Sequence, residues 1–203
     1  PNYNPVLNFR PDTITRLKVR LDSGFGFTSC GGLSVVGTTE RFDDVSNTQT
    51  VRTPAIPRAL LAGYSLNGYG FTSCGHDAID NVGTTERFDD VANTHTARLD
   101  ATARSRLSGY SLNGYGFTSC GEIISGVPVG TTERFDDITN TQTPRLDASL
   151  LEGRAGYSLN NFGFLSAGGD GTGLEFGTTE RFDDVANTHT LRANVNVARE
   201  NLT

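Results

Sequence analysis

The chain has 203 residues with 24 Gly, 7 Pro and a formal net charge of −6, a length that points to a single domain with one core and a composition that points to frequent turns. No window approaches the roughly 18 consecutive apolar residues of a membrane helix, and no apolar run follows a basic start. Only Lys18 among the 17 basic residues is lysine, and no basic cluster exists, so neither membrane insertion nor nucleic-acid binding is expected.

In chain order, residues 1–11 read as an N-terminal tail whose alternating stretch 3–9 is long enough for a strand. A repeat follows. The heptapeptide TTERFDD recurs four times, with its glutamate at Glu40, Glu86, Glu133 and Glu180, at steps of 46, 47 and 47 residues. Upstream of the copies stand SGFGFTSCGG from Ser23, NGYGFTSCGH from Asn67, NGYGFTSCGE from Asn113 and NNFGFLSAGG from Asn160. Downstream stand SNTQTVR, ANTHTAR, TNTQTPR and ANTHTLR. This period fits propeller blades of about 40–50 residues better than helical repeats near 33 or 34.

Within the third copy, 109–112 leads into Asn113-Gly114, the strongest short hairpin signal, because both central residues of a type I′ turn need positive φ. The second strand is expected over 115–120, then a loop of variable length, a third strand over 131–135, a turn rich in Asp and Asn over 136–140, and a fourth strand over 141–145. No stretch carries a helical apolar period. The expected fold is all-β: a propeller of four four-stranded antiparallel blades, about 12–58, 59–104, 105–150 and 151–196, with residues 197–203 as a C-terminal tail. The stretch 193–198 also alternates and could add as a strand.

Strand, Gly pair, variable loop, Glu-x-aromatic-Asp, Asn-Thr and a short polar strand together resemble the kelch repeat, over roughly residues 12–196. The Gly pair stands at Gly31-Gly32 and Gly168-Gly169, whereas the other copies read Gly75-His76 and Gly121-Glu122. Phe42, Phe88, Phe135 and Phe182 occupy the place where kelch blades usually carry Tyr. Gln49, His95, Gln142 and His189 occupy that of a usual Trp. The resemblance implies a propeller, though kelch propellers usually have five to seven blades.

Cys30, Cys74 and Cys120 share one repeat slot, which Ala167 fills in the fourth copy. That substitution points to small buried side chains and free thiols, since facing blades about 10 Å apart exceed the roughly 7 Å disulfide limit. The pairs Asp43-Asp44, Asp89-Asp90, Asp136-Asp137 and Asp183-Asp184 read first as turn acceptors. Their alternative is an acidic interaction rim for a basic partner, ahead of calcium, which needs six to eight converging oxygens. Arg52, Arg98, Arg145 and Arg192 are expected beside Glu40, Glu86, Glu133 and Glu180 in a cross-strand ladder. Phe27, Phe71, Phe117 and Phe164 are expected between blades rather than as a sugar-stacking platform.

His95 and His189 alternate with Gln49 and Gln142, so imidazole chemistry is not required in that slot, and His76 stands alone in a variable loop. No nucleophile elbow or phosphate-binding Gly loop is present. The expectation is a non-catalytic scaffold or extracellular assembly subunit, needing no cofactor or metal, that binds a protein partner or associates with itself through its terminal segments. The alternative is a glycan-binding propeller using exposed Tyr and Asn. A composition poor in Lys and rich in Thr, Asn and Gly fits a secreted or cell-surface protein, and Asn201-Leu202-Thr203 is a glycosylation sequon.

Overall fold

A computed structural model of the chain describes residues 25–30, 35–124 and 126–199. These residues hold fifteen five-residue strands and no helix. The first sheet contains β1 (Phe25–Ser29), β2 (Thr39–Asp43) and β3 (Thr48–Arg52). The second contains β4 (Ala62–Leu66), β5 (Tyr69–Ser73), β6 (Thr85–Asp89) and β7 (Thr94–Arg98). The third contains β8 (Ser108–Leu112), β9 (Tyr115–Ser119), β10 (Thr132–Asp136) and β11 (Thr141–Arg145). The fourth contains β12 (Ala155–Leu159), β13 (Phe162–Ser166), β14 (Thr179–Asp183) and β15 (Thr188–Arg192). Each sheet is an antiparallel meander with its strands in sequence order. The first has three strands among the described residues. The position expected for its innermost strand, just before β1, lies outside them, as do the tail 1–11 and the sequon.

Local chemistry sets the hairpins. Asn67-Gly68 has φ of 54° and 83°, and Asn113-Gly114 has 53° and 81°, the two left-handed residues of a type I′ turn. In the fourth sheet Asn160-Asn161 takes the same path at 51° and 62°, which Asn tolerates through local hydrogen bonding. Each turn joins the first strand to the second in the register Leu66↔Tyr69, Leu112↔Tyr115 and Leu159↔Phe162.

The sheets meet at their first strands, with β4 beside β8 and β8 beside β12. Glycine is required at this approach. A Cβ on Gly109 would come within 2.6 Å of the Gly63 carbonyl oxygen, and one on Gly156 within 2.8 Å of that of Gly109. Ser111 donates its hydroxyl hydrogen to the Ser65 carbonyl, and Ser158 donates to that of Ser111. One strand further out, the Tyr64 ring fills the space over Gly116 and the Tyr110 ring that over Gly163. The sheets therefore fan out from a row of inner strands as the blades of a β-propeller.

Between blades the core is aromatic. Phe27 packs on Phe88 at 5.5 Å between ring centroids, Phe71 on Phe135 at 5.6 Å, and Phe117 on Phe182 at 5.7 Å. Phe27, Phe71 and Phe117 thus hold the interblade position that the sequence assigns to them. Phe164 instead stacks, among the described residues, on Tyr157 of its own blade, at 5.3 Å.

Two expectations need correction. The stretch 193–198 is not a strand. The Val195 amide donates to the Gly177 carbonyl just as the amides of Ala55, Ala101 and Ala148 donate to Gly37, Gly83 and Gly130, so this stretch follows the route by which every earlier blade leads to the next. The cysteine slot also differs from a plain core position. All three cysteines are free, Cys74 and Cys120 are buried, and Cys30 is half-buried. Cys30, Cys74, Cys120 and Ala167 have φ of 63°, 60°, 61° and 59°, so a small side chain here tolerates a left-handed backbone at the end of the second strand. Burial raises the Cys30 thiol pKa, with Ser29 opposing. It pushes Cys74 up to about 12 and Cys120 to about 11. Because the thiolate is the reactive form, native thiol titration at pH 8 is expected to modify Cys30 first and leave Cys74 and Cys120 until denaturant is added. Equal rates for all three would contradict this burial.

Candidate functional site

The recurring charged residues converge on the junctions between blades. In each Asp pair the first residue caps its own turn. Asp43, Asp89, Asp136 and Asp183 each accept the amide hydrogens two and three residues on, in Asx-turn geometry. The Ser46 hydroxyl and amide hold the Asp43 carboxyl below the usual range. The second residue of the pair reaches the preceding blade. Asp90 takes Arg41 and Arg52, Asp137 takes Arg87 and Arg98, and Asp184 takes Arg134 and Arg145. The Arg145–Asp184 separation is 2.7 Å. Asp44, the fourth member of this set, is exposed.

The ladder expected between Arg52, Arg98, Arg145, Arg192 and the four glutamates does not form. The register sets Arg52 opposite Thr39, Arg98 opposite Thr85, Arg145 opposite Thr132 and Arg192 opposite Thr179. One residue of offset turns arginine and glutamate to opposite faces of the sheet. The glutamates instead pair with arginines that lie beyond the fourth strand of the preceding blade. Arg58, Arg104 and Arg154 come from the connections between blades, are at most 1% exposed, and meet Glu86, Glu133 and Glu180 at 2.7, 3.1 and 3.3 Å. Each glutamate also accepts an amide hydrogen from the same connection, at Ile56, Thr102 and Ser149. Burial would raise the Glu180 carboxyl, but the Ser149 hydroxyl and the Arg154 guanidinium outweigh it and hold the pKa below the usual value.

The remaining junction bonds repeat in the same way. Amides of Thr53, Leu99 and Leu146 donate to the side-chain oxygens of Asn93, Asn140 and Asn187. His95, Gln142 and His189 hydrogen-bond the carbonyls of Thr53, Leu99 and Leu146. Burial lowers the pKa of both histidines against the pull of Glu86 and Glu180, and each ring lies 4.8 Å from Phe88 or Phe182. The His/Gln slot thus reads the neighbouring blade's backbone.

A less symmetric cluster sits where the third and fourth blades join. Arg106 bonds Glu122 at 3.3 Å and Glu152 at 3.0 Å, and Ser105 donates to Glu122. Burial, then the facing Glu122 carboxyl, push Glu152 up to about 7, with Arg106 opposing. A carboxyl raised above its unfolded value of about 4.3 contributes most below that value, and its contribution is lost as pH rises toward 7. Stability is therefore expected to fall between pH 4.5 and 7 through this group. Melting curves of Glu152→Gln against pH should lack that component, and an unchanged profile would exclude it.

Each Asp pair is followed by a β-branched residue held in solvent, with Val45, Val91, Ile138 and Val185 at 90, 99, 88 and 90% exposure. These four positions repeat in register, one residue after each Asp pair, and are legible in the sequence.

This geometry defines a β-propeller module. The solved structure described as "Structure of YjhT" superposes on it with a TM-score of 0.74 at 11% sequence identity, over 86% of this chain and 64% of that one. The chain therefore spans less than two thirds of that neighbour's length. That structure is one of 172 solved chains that match. No family model matches the sequence, and no curated protein does.

Proposed function

We propose that the chain is a non-catalytic scaffold, a kelch-like propeller module that serves as a secreted or cell-surface assembly subunit. The observation that carries this reading is the threefold repetition of one junction: the second Asp, the Glu and the Asn of a blade all bond the preceding blade. Charged groups that could have formed a pocket instead make each blade a template for the next. The four exposed β-branched tips add a repeated, multivalent contact. The second reading, glycan binding, draws on exposed aromatic and amide groups such as Tyr157, 42% exposed, beside Asn160 and Asn161. Light scattering and an oligosaccharide array separate the two. The scaffold reading expects multiples of 21.7 kDa and a silent array. A 21.7 kDa monomer that lights specific glycans would replace it with the lectin reading.

A further inference from the structure

We propose that the two end faces of the blade array are complementary halves of one more junction, and that a second copy of the chain fills it head to tail. The proposal deepens the assembly reading and rests on it.

The trailing face of the fourth blade carries what every earlier blade presents to its successor. Arg181 and Arg192 occupy the places of Arg41 and Arg52. The Gly168 amide bonds the Arg199 carbonyl as that of Gly75 bonds Arg104, so Arg199 takes the place of the buried arginine. The apolar part of this face is uncovered. Leu159 is 54% exposed where Leu112 is 4%, and Tyr157 is 42% exposed where Tyr110 is 3%.

The leading face of the first blade carries the matching acceptors. Asp44 and Glu40 are exposed, where Glu86, Glu133 and Glu180 are 5, 7 and 3% exposed beneath the preceding blade. Among the described residues the nearest atom to a Cβ built on Gly26 is the Phe42 Cβ of its own blade, at 4.0 Å, in the slot that in Gly116 and Gly163 receives the tyrosine of the blade before. Phe42 is half-buried, against 5, 1 and 0% for Phe88, Phe135 and Phe182.

Among the described residues no ion pair joins the first blade to the fourth. Joining Tyr157 to Gly26, Phe164 to Phe42, Arg181 and Arg192 to Asp44, and Arg199 to Glu40 would repeat the aromatic contacts and the arginine–carboxylate pairs of the internal junctions. Arginine faces carboxylate throughout, which favours this orientation over face-to-face pairing of like ends. A heterologous contact of this kind closes into a ring or grows as a filament, according to the rotation between copies.

Two variants of the full chain test it by sedimentation across concentration. Asp44→Arg blocks the leading face and Arg192→Asp the trailing face; both sites are exposed, and circular dichroism confirms folding. Wild type is expected to grow in mass with concentration, and each variant alone to associate about a hundredfold more weakly. An equimolar mixture should recover association, because the intact trailing face of Asp44→Arg meets the intact leading face of Arg192→Asp. Asp44→Asn and Arg192→Gln repeat the comparison if a reversal disturbs the fold. Association unchanged in both variants would overturn end-face docking and leave the scaffold reading standing. A 21.7 kDa species at every concentration would overturn both.

Discussion

Arg154→Ala is expected to destabilise the protein by about 3–5 kcal/mol, the usual cost of leaving a buried carboxylate without its cation. Arg154 is 1% exposed, and besides Glu180 it donates to the carbonyls of Leu165 and Thr178. One truncation therefore leaves the Glu180 carboxylate without its cation and takes a donor from two carbonyl oxygens at the last internal junction. The melting temperature should drop by on the order of 10 °C. Arg154→Met combined with Glu180→Gln should regain much of the loss, because the amide still accepts from Ser149 and no bare charge remains. A single variant that melts within a degree or two of wild type would show that the pair contributes little.

Phe117→Ala should be comparably severe, about 3–5 kcal/mol. Its ring is fully buried between Tyr110, stacked at 5.2 Å, and Phe182, edge-on at 5.7 Å. Phe164→Ala removes the same side chain from the same repeat slot, but that half-buried ring stacks on Tyr157 with no described aromatic of a following blade against it. Its cost in the monomer should be nearer 1 kcal/mol, since little apolar surface returns to water. Chemical denaturation of the two variants measures the difference. Equal losses would mean that the fourth blade's trailing face is covered in the isolated chain.

The repeat and the strands were readable because their signals are local. Asn-Gly demands left-handed backbone, and the polar pattern flanking it has the period of a strand, so β8, β9, β10 and β11 fall within a residue or so of expectation. The partnerships of the charges were not readable. Glutamate and arginine match across a hairpin by residue count, yet a one-residue register offset sends them to different neighbours. Of the arginines that do bury against the glutamates, Arg58 and Arg104 keep the period of the repeat and Arg154 breaks it. Arg58, Arg104 and Arg154 are 46 and 50 residues apart, because the third connection carries the longer sequence LDASLLEGR. Position relative to the next blade, not position in the repeat, places Arg154. Nor could the aspartates be ranked from sequence. All four pairs read alike, and only the presence or absence of a preceding blade separates Asp90, Asp137 and Asp184 from Asp44.

The hairpin sequence GYSLNGYGFTSCG is identical in the second and third blades, at residues 63–75 and 109–121. To a folding chain these two pieces are interchangeable currency. Either can zip onto either downstream TERFD strand with nearly the same energy, so the landscape holds shuffled pairings close in depth to the native one. What breaks the tie lies in the spacers, where the shorter loop at 76–82 and the longer one at 122–129 make the wrong exchange span a different length of chain. Equalising those spacers would leave every native contact intact and still blur which fold the sequence selects.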